Sequence, residues 1–198
     1  MRLETLPLGL FQTNCYLLWD ETTKDGIIFD PGYDAKRILA HIGTLDFSPL
    51  AIVLTHGHFD HVGAVAELKE YYKIPVYLGA PDAKLPASIT NGEIPYTHLI
   101  QPGDTLPFGT IALHAIATPG HTPGSFCFQI GELLFSGDTL FRDSVGRTDL
   151  PGGSYGALLD SIQTLSALND DLKVYPGHGD ATTMGREKRY NPYFRRIL

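Results

Sequence analysis

Thr55-His56-Gly57-His58-Phe59-Asp60-His61 sets three imidazoles and a carboxylate within six residues, directly behind the apolar run Ala51-Ile52-Val53-Leu54. The apolar run reads as a buried strand. Val62, Val65, Ala66, Leu68 and Tyr72 then follow helical spacing, so the cluster sits at a strand-to-helix junction. In an extended segment residues two apart point the same way, so His56, His58 and Asp60 are expected to converge, with His61 at the helix start facing elsewhere. A lone histidine is readily explained as a satisfied core residue. Four polar side chains packed this densely each need partners, and a shared metal ion supplies them together. Imidazole with carboxylate suits zinc, iron or manganese.

Working outward, the same design recurs: a short apolar run, a Gly or Pro turn, then Asp or His. The segments are GIIFDPG (26–32), IALHAIATPGH (111–121), ELLFSGD (132–138) and LKVYPGHG (172–179), each read as a buried strand. They add His121, Asp138 and His178 at strand ends, where Gly and Pro let the backbone bend tightly. Five His and two Asp exceed the about four to five ligands that one zinc ion takes, and two ions sharing a carboxylate account for them. His41 falls on a helix, His98 in a loop and His114 on the outward face of an alternating strand, so these three read as structural or solvated.

Helices are expected over 34–42, ending at Gly43, around Leu158, Ile162 and Leu165 behind an N-cap at Ser154, and from Thr182 or Thr183 through REKRY. Mixed strands and helices predict sheets covered by helices. Residues 79–110, rich in Pro, Gly and Asn, read as a functional loop or a plain connection. Residues 140–156 read as a second functional loop.

Composition bounds the function. The 198 residues suit a single domain, and 43% apolar with 19% charged residues excludes a disordered chain. A net charge of −7 gives no general attraction for nucleic acid. Cys15 and Cys127 lie in apolar runs and read as buried small hydrophobes. Glu4, Pro7 and Gly9 interrupt the N-terminus where a signal peptide would be apolar, and no apolar run approaches the roughly 20 residues of a membrane span. A cytoplasmic protein with no membrane partner is expected.

THGHFDH, TPGHTPG, FSGDTLF and PGHG, in that order across almost the whole chain, resemble the metallo-β-lactamase superfamily. The resemblance implies an α/β (α+β) fold, a four-layer αβ/βα sandwich of two mixed sheets with helices outside and a dinuclear site at one edge. It implies His56, His58 and His121 as ligands of one metal, Asp60, His61 and His178 as ligands of the other, and Asp138 as the bridge. The cofactors are then two divalent ions, zinc first, with iron or manganese as alternatives. His58 separates the chain from the flavodiiron branch, where a Glu usually stands.

TNCYLL, FDPG, VGRTDLPGGS and EKRYNPYFR are further similar to glyoxalase II-related hydrolases. Typical members carry an extra C-terminal helical region. Here the chain ends 20 residues after His178, which resembles the short single-domain type spanning 1–198. The implied activity is hydrolysis of S-lactoylglutathione or a related acyl thioester by a metal-bridged hydroxide that Asp60 orients. The resemblance implies a small-molecule thioester as partner, with a glutathione-linked one among the candidates. Arg147 is a candidate for the substrate carboxylate, against a salt bridge to Asp143 or Asp149. Asp30 is a candidate for holding a ligand imidazole in its tautomer, against a simple turn. Tyr190, Tyr193 and Arg195 could bound the pocket or dock a terminal helix. Three other functions stand beside this one. One is a persulfide (sulfur) dioxygenase of the same superfamily, with one iron on His56, His121 and Asp138. Another is a lactonase or β-lactamase. The last is a non-catalytic, metal-stabilised binding module.

Overall fold

The computed structural model describes residues 1–196. The first sheet has six strands in the order β1 (Arg2–Leu8), β2 (Thr13–Trp19), β3 (Asp25–Phe29), β4 (Ser48–Val53), β5 (Val76–Gly79) and β6 (His98–Ile100). Its first three strands run antiparallel, and β3 to β6 are parallel. The second sheet takes β7 (Thr105–Phe108), β8 (Ile111–Ala117), β9 (Phe126–Ile130) and β10 (Leu133–Gly137). A two-strand hairpin, β11 (Leu140–Phe141) and β12 (Ser144–Val145), follows outside it. β13 (Lys173–Pro176) then joins β10 in parallel, and β14 (Thr182–Thr183) closes the edge.

Side-chain alternation sets the layers. Along β2, Tyr16 and Leu18 enter the space between the sheets, while Cys15, Leu17 and Trp19 face outward. The inter-sheet layer gathers Phe29 and Val53 against Phe108, Phe128 and Phe135, and the rings of Phe29 and Phe135 stack at 4.2 Å. Each such aromatic contributes about 1.5–3 kcal/mol on burial. Helices α1 (Ala35–Ile42), α2 (Phe59–Val62) and α3 (Val65–Tyr72) lie on the first sheet's side, where Ile38, Ile42, Val65 and Leu68 pack on Leu17, Ile28 and Ile52. After the short helix α4 (Ala87–Thr90), α5 (Tyr155–Ser166) and α6 (Met184–Tyr190) cover the second sheet. Leu158, Ile162, Leu165 and Met184 meet Leu134 and Val174 there. This is the four-layer αβ/βα sandwich, with strands buried on both faces and therefore written as continuous apolar runs.

The caps follow local chemistry. Asp34, Ser154 and Thr183 accept from Arg37 N, Ala157 N and Arg186 N, opening α1, α5 and α6. Cys15 and Cys127 are fully buried, and burial pushes the Cys127 thiol up to about 11. No helix among the described residues is long and apolar enough to cross a membrane.

The structure corrects three expectations. Residues 79–110 are not one loop: they hold a 3-10 turn (Ala80–Lys84), α4 and the edge strands β6 and β7. Strands of 3 and 4 residues between Pro and Gly are too short to display a period, which also hid His98 in β6, stacked on Tyr77. The helix behind the histidine cluster starts at Phe59, not at His61, and breaks at Gly63, where a side chain would collide with the Gly32 carbonyl. Residues 140–156 contain the β11–β12 hairpin. His41 and His114 fall as expected, on α1 beside Glu4 and on the exposed face of β8.

All candidate ligands emerge at one edge, from the ends of β4, β8, β10 and β13. The two sheets are stitched together there. Phe126 N donates to Thr55 O at 2.9 Å, and Asn14 N donates to Gly177 O at 2.7 Å.

Candidate metal centre

The seven candidates lie in overlapping sets, one of which joins His56, His61 and Asp138 across the two groups that the motifs imply. His56, His58 and His121 form a nearly equilateral set of rings, with centroids 4.7, 4.8 and 4.5 Å apart. Asp60, His61 and His178 form a second set whose ligand atoms lie within 4.8 Å of one another, as do those of His56, His58 and His121. Asp138 reaches both groups: Oδ2 is 3.5 Å from His121 Nε2 and 3.5 Å from His178 Nε2, and Oδ1 is 3.4 Å from His61 Nε2.

One geometric expectation fails. Asp60 does not continue the alternation of His56 and His58, because the backbone turns helical at Phe59 and carries Asp60 away. Asp60 instead faces His178, with Oδ2 to Nε2 at 3.3 Å, and accepts from Thr13 Oγ1 at 3.2 Å. Nor does His61 face elsewhere. Its fully buried ring lies between Asp30 and Asp138.

The partner of each outer ring nitrogen assigns the tautomers. His61 Nδ1 donates to Asp30 Oδ2 at 2.9 Å, His121 Nδ1 to Arg147 O at 2.7 Å, and His178 Nδ1 to Phe11 O at 2.9 Å. Thr55 Oγ1 has one proton and gives it to Asp30 Oδ2 at 2.6 Å, so it accepts from His56 Nδ1 at 3.1 Å. In the neutral form each of these rings turns an unprotonated Nε2 inward, the form that ligates metal. Burial opposes protonation of His61 and His178, but Asp138 and Asp30 hold His61 well above its ordinary range and Asp60 raises His178. Burial, reinforced by His61 and His121, pushes His56 well below its ordinary range. Burial with His121 beside it pushes His58 down to about 4. Burial opposes ionisation of Asp138, but His61 and His121 hold its carboxyl well below the usual carboxylate range.

The donor set fits metal ions on a direct test. Among the described residues, the buried Nε2 atoms of His56, His58 and His121 and Oδ1 of Asp138 have no hydrogen-bond partner. Leaving such atoms unpaired costs about 1–3 kcal/mol each. Divalent cations satisfy all four at once, with no exchange of residues required.

Of the cluster, His58, Asp60, His121, Asp138 and His178 line a cavity of about 460 Å³. Phe11, Phe59, Ile89, Phe141 and Leu150 make its walls apolar, and Arg147 stands among the lining residues. The Arg147 guanidinium forms a solvent-exposed, two-point pair with Asp149, Nε to Oδ1 at 2.8 Å and NH2 to Oδ2 at 2.7 Å. Asp143 is instead engaged by Arg186. Tyr190 is exposed, Tyr193 packs on the α5 side, and Arg195 reaches the Arg189 carbonyl, so the terminal segment docks on the sandwich.

Several positioning groups escaped the residue-by-residue reading although their motifs were visible. In TNCYLL, Asn14 Nδ2 donates to Pro176 O and Gly179 O at 3.0 and 2.9 Å, clamping the turn that bears His178. In EKRYNPYFR, fully buried Glu187 accepts from Asp143 N at 2.8 Å, and Asn191 Nδ2 donates to Ser144 O at 3.0 Å. They fix the hairpin that places Phe141 in the cavity wall. Asp82, buried behind the histidines, had no local signal at all.

Comparison with known proteins places the chain among relatives of matching length. It is 38% identical to hydroxyacylglutathione hydrolase GloC of Haemophilus influenzae over 98% of both chains. The solved structure of BLEG-1 B3 metallo-β-lactamase superposes with a TM-score of 0.88 at 39% identity, covering 98% of this chain and 99% of that one. TTHA1623 in a di-iron-bound form gives 0.85 at 41% identity over 96% and 99%. ETHE1 from Myxococcus xanthus gives 0.87 at 30% identity over 100% and 89%. The metallo-beta-lactamase superfamily model matches residues 8–178, the span from the end of β1 to the last candidate ligand, and the chain belongs to that superfamily.

Proposed function

We propose that the chain is a dinuclear metal-dependent thioester hydrolase acting on S-lactoylglutathione or a related acyl thioester. The observation that carries this reading is the double ligand set joined by Asp138 at the floor of an apolar-walled cavity. His56, His58, His121 and Asp138 would hold one ion, and Asp60, His61, His178 and Asp138 the other. When bound, such a pair supplies an activated water and a Lewis acid for the acyl carbonyl. The di-iron form of TTHA1623 and the name of the GloC relative support both halves of the reading.

The chain's own groups do the rest. Asp60, at the cavity floor, offers a carboxylate oxygen to a proton of the attacking water and orients it. Thr13 holds that carboxylate in place. Phe11, Phe59 and Phe141 exclude bulk water and accept the acyl and thiol carbons. Attack forms the new C–O bond, and the C–S bond then breaks. The departing thiolate is a good leaving group near neutral pH and needs no general acid from the protein. Arg147 can exchange Asp149 for a substrate carboxylate, since exposed pairs are weakly held. Arg147→Ala is therefore expected to raise KM for S-lactoylglutathione about 10-fold with kcat little changed, the pattern of lost uniform binding. An equal fall in kcat would contradict that role.

The test is loss of the S-lactoylglutathione thioester with metal-loaded protein, beside His58→Ala. Turnover that vanishes in the variant is expected. Absence of turnover with two ions bound would overturn the substrate assignment. A second reading, persulfide dioxygenase with one iron on His56, His121 and Asp138, draws support from the 3.5 Å approach of Asp138 Oδ2 to His121 Nε2. It predicts oxygen uptake with glutathione persulfide and one iron per chain.

A further inference from the structure

Asp82 belongs to neither ligand group, yet it touches the loops that carry three of the ligands. It lies in the 3-10 turn after β5 and is 1% exposed. Its Oδ2 accepts from Gly57 N and from Thr122 Oγ1, both at 2.8 Å, and its Oδ1 accepts from Gly124 N at 2.6 Å. Gly57 is the residue between His56 and His58. Thr122 and Gly124 belong to the turn that begins at His121. The first loop leaves β4 of one sheet, and the second leaves β8 of the other.

Among the described residues no Lys or Arg pairs with this carboxylate, so backbone N–H groups and one hydroxyl are its partners. A buried carboxylate without a counter-ion is tolerated only while such donors stay in place. The requirement works in both directions: the loops solvate Asp82, and Asp82 fixes the loops to each other. The fit is also tight, because a side chain at Gly124 would lie 2.6 Å from Asp82 N and Oδ1.

We infer that Asp82 is a positioning residue that clamps the His56–His58 loop to the His121 turn, setting the spacing of the three Nε2 atoms before any ion arrives. The inference rests on reading those histidines as ligands. It assigns a function to a stretch, Ala80–Lys84, that contributes no ligand itself. Preorganisation of this kind raises metal affinity because the ordering of the loops has already been met by folding.

Asp82→Asn keeps the shape but turns one acceptor into a donor, which must then face either Gly124 N or the Gly57 and Thr122 pair. Zn²⁺ affinity, measured by competition with a chromophoric chelator, is expected to fall about 10–100-fold. The Co²⁺ ligand-field spectrum should change as the three-histidine geometry loosens. Ile38→Ala, a core truncation in α1 outside both loops, serves as the stability control. It should lower the melting temperature of the chelated protein while leaving Zn²⁺ affinity and the Co²⁺ spectrum as in the wild type. Thr122→Val removes one of the three donors and should give the same changes at smaller amplitude, which covers the case of Asp82→Asn failing to fold. Wild-type affinity and spectrum in either folded variant would overturn the clamp. Failure of the wild type itself to bind Zn²⁺ would overturn the ligand reading, and the clamp with it.

Discussion

Asp138→Asn is expected to lower thioester hydrolysis by at least about 10²–10³-fold. Bound metal should fall from two ions per chain to at most one. The reason is positional. One oxygen of Asp138 lies 3.4 Å from His61 Nε2, and the other lies 3.5 Å from His121 Nε2 and His178 Nε2, so the same carboxylate lies within reach of both groups. Oδ1 is among the buried atoms left without a protein partner. Asparagine preserves the volume but halves the acceptor capacity and removes the negative charge that a shared cation would require. The melting temperature of the chelated variant should also fall at neutral pH, because the imidazoles that depress the Asp138 carboxyl stabilise the folded state through it. Metal analysis beside kinetics checks this. Retention of two tightly bound ions would exclude Asp138 as the shared ligand.

Gly177→Ala should damage the same centre by a different route. A Cβ at this position would overlap Asp138 Oδ1 and come within 2.7 Å of His61 Cε1. The backbone cannot retreat easily, because Gly177 N donates to Gly137 O at 2.8 Å and its carbonyl accepts from Asn14 N at 2.7 Å. Overpacking of this kind costs about 1–3 kcal/mol. A lowered melting temperature is therefore expected even in chelator, together with weakened metal binding. A variant that melts and binds metal as the wild type does would show that the turn has slack which the structure denies it.

The fold was legible wherever burial forces a pattern. Strands covered on both faces appear as runs such as AIVL and ELLF, and the turns after them announce the site with Gly, Pro, His and Asp. The N-cap at Ser154 was equally local. What escaped depends on where the chain changes period or reaches across. Asp60 and His61 were misdirected because helical geometry begins at Phe59, inside the motif, and moves Asp60 from the His56 side to the His178 side. β6 and β7 are edge strands too short for alternation to register. Asp82 meets Gly57 and Gly124 across 25 and 42 residues, and Glu187 meets Asp143 across 44, distances at which no local rule operates. The motif resemblance supplied the division of ligands into two groups. In the structure the two sets adjoin, and His56, His61 and Asp138 also lie within 4.8 Å of one another.

The measurement that bears most directly on this account is anomalous diffraction at the metal absorption edge from crystals of the metal-loaded protein. The account predicts two peaks on either side of Asp138, one among His56, His58 and His121 and the other among Asp60, His61 and His178. A single peak on His56, His121 and Asp138, or none at these residues, would contradict it.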